Sequence, residues 1–153
     1  MGTRSVTYIL DEKERTLALI YRQFDGYPDG MGKDLYNILV GRPIVCGFPM
    51  EELENPRPPF NGMGDLAATV VRDLKKGIGN VYLFAGIFVG NVQSAREKYD
   101  AEFVYIIGAR ENALTIQAYS LKLGKSAKLL YSGAIEGMPA ALKFEEEEAC
   151  QIT

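Results

Sequence analysis

From Phe24 to Gly32 the chain reads Phe-Asp-Gly-Tyr-Pro-Asp-Gly-Met-Gly, and three glycines with one proline in nine residues leave no room for a regular helix or strand. The segment must be a shaped loop, and the elements on either side are arranged around it. Before it lie two β-branched and aromatic runs, Ser5 to Leu10 and Thr16 to Arg22, joined by a charged five-residue link. That pattern is a hairpin. On alternation, Thr16, Ala18, Ile20 and Arg22 share one face of the second strand, and Leu17, Leu19, Tyr21 and Gln23 the other. Both faces are mostly apolar, so the hairpin is expected to be covered on two sides.

After the loop, Lys33 to Val40 carries Leu35, Ile38 and Leu39 at helical spacing, with Gly41 and Pro43 to end it. Cys46 to Phe60 contains four prolines and should run irregularly over the surface. Asn61-Gly62-Met63-Gly64 then opens a second helix, Asp65 to Lys76, whose Leu66, Val70 and Leu74 recur every four residues before Gly77 and Gly79. Val81 to Val89 reads as a buried strand with a break at Gly86, and Val92 to Tyr99 as a short helical turn. Glu102 to Ala109 and Leu114 to Ser120 read as paired strands, and Lys128 to Tyr131 as a weaker one. The order β-β-α-α-β-β-β predicts an α+β fold, an antiparallel sheet with two helices packed on one face. Nothing divides residues 1–144 into separate domains, and the run Glu145 to Glu148 makes 145–153 an acidic tail.

Composition removes whole classes of chemistry. The chain has no histidine, which excludes Ser-His-Asp and Cys-His nucleophile systems and a His-ligated zinc. Its two cysteines, Cys46 and Cys150, are far apart and form neither a CxxC nor a disulfide framework, as expected in a reducing cytoplasm. Neither a secretory leader nor a membrane span is expected. From Arg110 to Lys143 five basic residues face two acidic ones, too sparse a stripe for duplex nucleic acid but enough to attract a small anion.

The two glycine loops each lead into a helix, and helix starts offer free N–H groups and a partial positive charge. Gly26, Gly30, Gly32 and Lys33 form the first cradle; Asn61, Gly62, Met63 and Gly64 form the second. Arg4, Arg22, Gln23 and Asp25 supply polar and charged groups beside the first, and Phe24, Tyr27 and Tyr105 supply rings against which a base could stack. Neither loop matches a P-loop, since Asp34 follows Gly32-Lys33 where a magnesium-holding hydroxyl would stand, and neither sits in the setting of a Rossmann motif. The expectation is that the two helix starts converge on one acidic guest.

Four strings carry a resemblance: Gly2-Thr3-Arg4-Ser5, Tyr21-Arg22-Gln23-Phe24-Asp25-Gly26-Tyr27-Pro28-Asp29-Gly30-Met31-Gly32, Phe60-Asn61-Gly62-Met63-Gly64 and Glu102-Phe103-Val104-Tyr105. Across residues 2 to 120 the chain resembles a family of small proteins found in phages, large viruses and microbes. That family often has histidine where Met31 stands and cysteine where Asp65 stands, so the resemblance implies no metal or thiol role here. It implies that the loops act as one unit, and a phage origin implies a protein of the host cytoplasm that captures a nucleotide immune signal without cleaving it. Such a sponge needs cations, amides and stacking groups but no catalytic residue, metal or cofactor, and a pocket at a subunit boundary would make it a homo-oligomer. Two alternatives stand beside it. One is a metal-dependent phosphohydrolase acting on a nucleotide through Asp25, Asp29 and Asp65. The other is a protein–protein interaction module using Glu51 to Phe60 and the acidic tail.

Overall fold

The computed structural model describes residues 2–122 and 125–144, so the acidic tail lies outside the described residues. Among the described residues eight strands form, β1 Ser5–Leu10, β2 Thr16–Arg22, β3 Ile44–Val45, β4 Phe60–Asn61, β5 Val81–Phe84, β6 Phe103–Arg110, β7 Ala113–Ser120 and β8 Lys128–Ala134. Four α-helices accompany them, α1 Lys33–Leu39, α2 Gly62–Leu74, α3 Ser94–Tyr99 and α4 Met138–Leu142. Six strands make one sheet in the order β5-β2-β1-β6-β7-β8, and β3 and β4 form a separate parallel pair.

The fold is α+β and the sheet is mainly antiparallel, as the element order indicates. Three features depart from the local pattern. Strand β1 pairs with β6 in parallel, Ser5 opposite Phe103 through Ile9 opposite Ile107. The run read as a strand from Val81 to Val89 pairs only as far as Phe84. Pro28–Gly32 winds into a single π-helical turn feeding α1 instead of staying irregular.

Every residue of β1 is buried, because its two faces meet different layers. Ile9, Ile20, Tyr105, Ile107 and Ile116 turn toward α1, α2 and α4, where they meet Leu35, Leu66, Val70 and Met138. The periodicity of α2 is the cause: Met63, Leu66, Ala67, Val70 and Leu74 occupy one stripe and all are buried. Each large aliphatic side chain so buried contributes roughly 1.5–3 kcal/mol. Val6, Tyr8, Leu10, Val104 and Ile106 turn the other way, onto Ala95 of α3 and Phe88. The helices expected on one face are therefore joined there by α4, while α3 covers part of the opposite face.

The hairpin link is shaped by Asp11, whose Oδ1 accepts the N–H groups of Lys13 and Arg15 at 2.9 and 2.8 Å. These bonds and the Arg15 guanidinium hold the Asp11 carboxyl below its ordinary pKa, the Arg15 backbone bond being the largest cause. On the α3 face, the Tyr8 ring lies 5.1 Å from that of Phe88, and burial, with Tyr99 adding in the same direction, pushes its phenol up to about 12. A phenol raised from 10.0 in the unfolded chain to about 12 in the fold stabilises the protein fully below pH 10 and loses that contribution as the pH climbs to 12. Urea unfolding followed across that window should show stability falling by on the order of 2 kcal/mol from this group. Tyr8→Phe should flatten the fall.

Candidate functional site

The first glycine loop is a structural knot tied to the start of β1 and the middle of β6. Gly26 donates its N–H to the Thr3 carbonyl at 2.9 Å, and its own carbonyl accepts the Tyr105 hydroxyl at 2.8 Å. A Cβ at Gly26 would stand 2.8 Å from the Ser5 backbone nitrogen, and one at Gly30 would overlap the Asp25 carbonyl oxygen. These two positions need glycine because backbone lies against backbone. Tyr105 is fully buried below the loop, and burial drives its phenol far above the ordinary tyrosine range.

The loop's amides are already engaged. Gly30 donates to the Tyr27 carbonyl at 2.9 Å and Met31 to the Asp25 carbonyl at 2.8 Å, in the π turn. Gly32 is buried against the Tyr105 ring, and Lys33, half-buried, begins α1. Asp25 adopts φ 59° and accepts the Tyr27 hydroxyl at 3.2 Å, a bond that holds the exposed Tyr27 phenol above its usual pKa. Phe24 is exposed and packs beside Gly2; its N–H donates to Asn80 Oδ1 at 2.9 Å, and that of the exposed Gln23 to the Asn80 carbonyl at 2.8 Å. Arg4 is spent on the far side, its Nε donating to the Asp100 carbonyl at 2.8 Å and its guanidinium paired with the Asp100 carboxylate at 3.1 Å.

The second loop is not beside the first. Residues Leu39 to Ile44 carry the end of α1 into β3, which pairs with β4, and β4 leads directly into α2. Conversely, Asp34 and Asn37 in the first turns of α1 share a cleft with Asp73 and Leu74 at the end of α2. The two helices therefore run antiparallel, and their starts lie at opposite ends of the pair. The expected convergence of the two cradles on one guest is overturned. Asn61 N–H is taken by Asp65 Oδ2 at 2.8 Å and its Oδ1 by Gly47 N–H at 2.7 Å; Met63 points into the core; Gly62 and Gly64 sit at that distant end. Asp25 and Asp29 belong to the first loop and Asp65 to the start of α2 at the other end, and among the described residues no three acidic or cysteine side chains are grouped to hold a metal ion.

What the structure does assemble is a polar cleft of about 360 Å³ between α1, the end of α2 and the approach to β5. Its floor is Arg22, about 9% exposed, whose Nε donates to the Phe24 carbonyl at 2.8 Å and whose Nη1 pairs with Asp34 at 2.6 Å. Arg57 and Lys76 stand on its rim with Asn37, Asp73 and Asn80. Arg57 reaches across from the proline-rich segment, donating to the Asn37 and Val40 carbonyls at 3.1 and 2.6 Å. These are C-terminal carbonyls of α1, where a cation is favoured. Three cations thus face two carboxylates. Of the sequence-derived site residues, Arg22 alone lines this cleft; Gln23 and Phe24 touch it through Asn80. No glycine motif marks Arg57, Lys76, Asn37 or Asn80; Lys76 ends the helix expected from the sequence, which in the structure stops at Leu74, and Asn80 immediately precedes β5.

Because Arg22 orders the loop through a directional Nε bond as well as a charge, Arg22→Lys keeps the cation but loses the fork. It should cost about 1–2 kcal/mol in urea unfolding. An unchanged midpoint would mean that the arginine does not hold the loop.

Comparison with protein-family models, with curated proteins and with solved structures finds no match to this chain.

Proposed function

We propose that this protein binds a small nucleotide-like anion in the Arg22 cleft and does not transform it. The observation that carries this reading is the gathering of Arg22, Arg57 and Lys76, from three separated parts of the chain, around one concavity of about 360 Å³. That volume is at the small end of ordinary ligand sites. A phosphate would lie against Lys76 and the free edges of the two guanidinium groups, where a charge-assisted bond contributes more than a neutral one. Asn37, Asn80 and the carboxylates of Asp34 and Asp73 would take sugar hydroxyls or base amines, and Ile38 and Leu74 give the base an apolar wall. The cleft has no imidazole, since the chain has no histidine, and its two carboxylates are held in ion pairs, Asp34 with Arg22 and Asp73 with Arg72, which favours holding over cleavage. Set beside the resemblance to phage proteins, this makes the chain a sponge for a nucleotide signal.

Lys76 is exposed and makes no hydrogen bond or ion pair among the described residues, so it separates binding from folding. In calorimetry against a panel of linear and cyclic nucleotides, the native protein should bind at least one member. Lys76→Glu should weaken that ligand at least tenfold with no change in melting temperature, the loss expected for a charge-assisted bond of about 1.5–3 kcal/mol. The ligand should be recovered chemically intact after incubation with magnesium. Absence of heat with every nucleotide, or recovery of a cleaved product, would refute the reading.

A further inference from the structure

Strand β5 ends the sheet, and beyond Val81, whose carbonyl Lys75 covers, nothing charged guards it. From Val81 to Val89 the chain reads Val-Tyr-Leu-Phe-Ala-Gly-Ile-Phe-Val, with no charged residue and no proline to discourage pairing. The opposite edge differs: β8 begins at Lys128, and the Tyr131 hydroxyl covers the Ala134 carbonyl at 2.6 Å.

The direction of the β5 backbone follows from its one fixed contact. In an antiparallel pair the N–H and C=O of a residue point the same way and alternate along the strand. The Asn80 carbonyl accepts Gln23 N–H, so Asn80, Tyr82 and Phe84 face β2, while Val81 and Leu83 face outward. The outward groups of Val81 are satisfied, its N–H by the Gly79 carbonyl at 2.7 Å and its carbonyl by Lys75 Nζ at 2.8 Å. Those of Leu83 have no partner among the described residues. One donor and one acceptor on a single residue is what a twofold axis needs: Leu83 of each copy can exchange both bonds with Leu83 of the other.

The side chains around that point agree. Tyr82, Leu83, Phe84, Ile87 and Val89 are 43, 62, 37, 69 and 64% exposed, and Leu17 on the neighbouring strand 44%. At on the order of 100 Å² each, these six leave roughly 600 Å² of apolar surface in water, most of the ~800 Å² that each partner gives to a standard interface. An apolar groove of about 500 Å³ lies beside Leu83, walled by Ala67, Ala68 and Val71 of α2. Residues directly opposite across a pair of strands project to the same face, so the Leu83 side chain of the second copy would lie over this groove.

We propose that the protein forms a twofold dimer in which β5 pairs antiparallel with β5 of a second copy about Leu83, joining two six-stranded sheets into one of twelve. The proposal does not rest on what the Arg22 cleft binds.

Light scattering on the full chain at micromolar concentration should give twice 16.9 kDa. Leu83→Lys should give the single-chain mass with an unchanged circular dichroism spectrum. Ile87→Glu, outside any strand, supplies a second disruption should the first variant fold poorly. Leu129→Lys, on the β8 edge, should leave the dimer intact. In a Cys46→Ser, Cys150→Ser background, Leu83→Cys should be joined into a covalent dimer by a short bis-maleimide and Leu129→Cys should not. A monomeric native protein, a dimer that survives both disruptions, or one lost with Leu129→Lys would overturn the proposal.

Discussion

The hydrogen bond from the buried Tyr105 hydroxyl to the Gly26 carbonyl is the contact on which the arrangement of the remaining parts depends. It joins the middle of β6 to a loop that leaves β2, across β1, and it forms only because the glycine lets the loop backbone lie directly on the Ser5 backbone. A carbonyl buried without a partner costs about 1–3 kcal/mol, so the phenol and the loop position each other. With the loop so fixed, Arg22 at the end of β2 is drawn beneath it to Phe24 and Asp34, and α1 can begin only where the π turn ends.

The elements that could be read locally were those whose periodicity answers to one neighbour. The hairpin, both main helices and the β6–β7 pair follow directly from apolar spacing and turn residues. The parallel union of β1 and β6 did not, because residues 5 and 103 meet through register, and register is written in no short window of sequence. The Val81 to Val89 run misled for a related reason: its apolar character marks surface awaiting cover as readily as it marks an interior strand. Helix α4 is five residues long, too short for its pattern to stand out.

Of the candidate cleft, the sequence pattern singled out one lining residue, Arg22. The glycines, however, serve packing: the amides of Gly26 and Gly30 turn inward to the Thr3 and Tyr27 carbonyls, and that of Met31 between them and α1 to the Asp25 carbonyl. The antiparallel course of α1 and α2 decides the matter. It takes the Asn61 to Gly64 turn away to the far end, and brings Lys76 and Arg57 to Arg22 instead. Asp34, which in sequence only spoiled a phosphate-loop pattern, is the ion-pair partner that orients the arginine.

The place of β1 has a further consequence, for the order in which the molecule can be completed. Strand β1, made before the other described strands, is a central one enclosed on both faces, and its second neighbour begins at Phe103. Until β6 has been made, Val6, Tyr8 and Ile9 have one paired edge and no finished cover. Because closing so long a connection precedes any reward from the contacts it makes, maturation of this sheet is governed by topology and waits for β6.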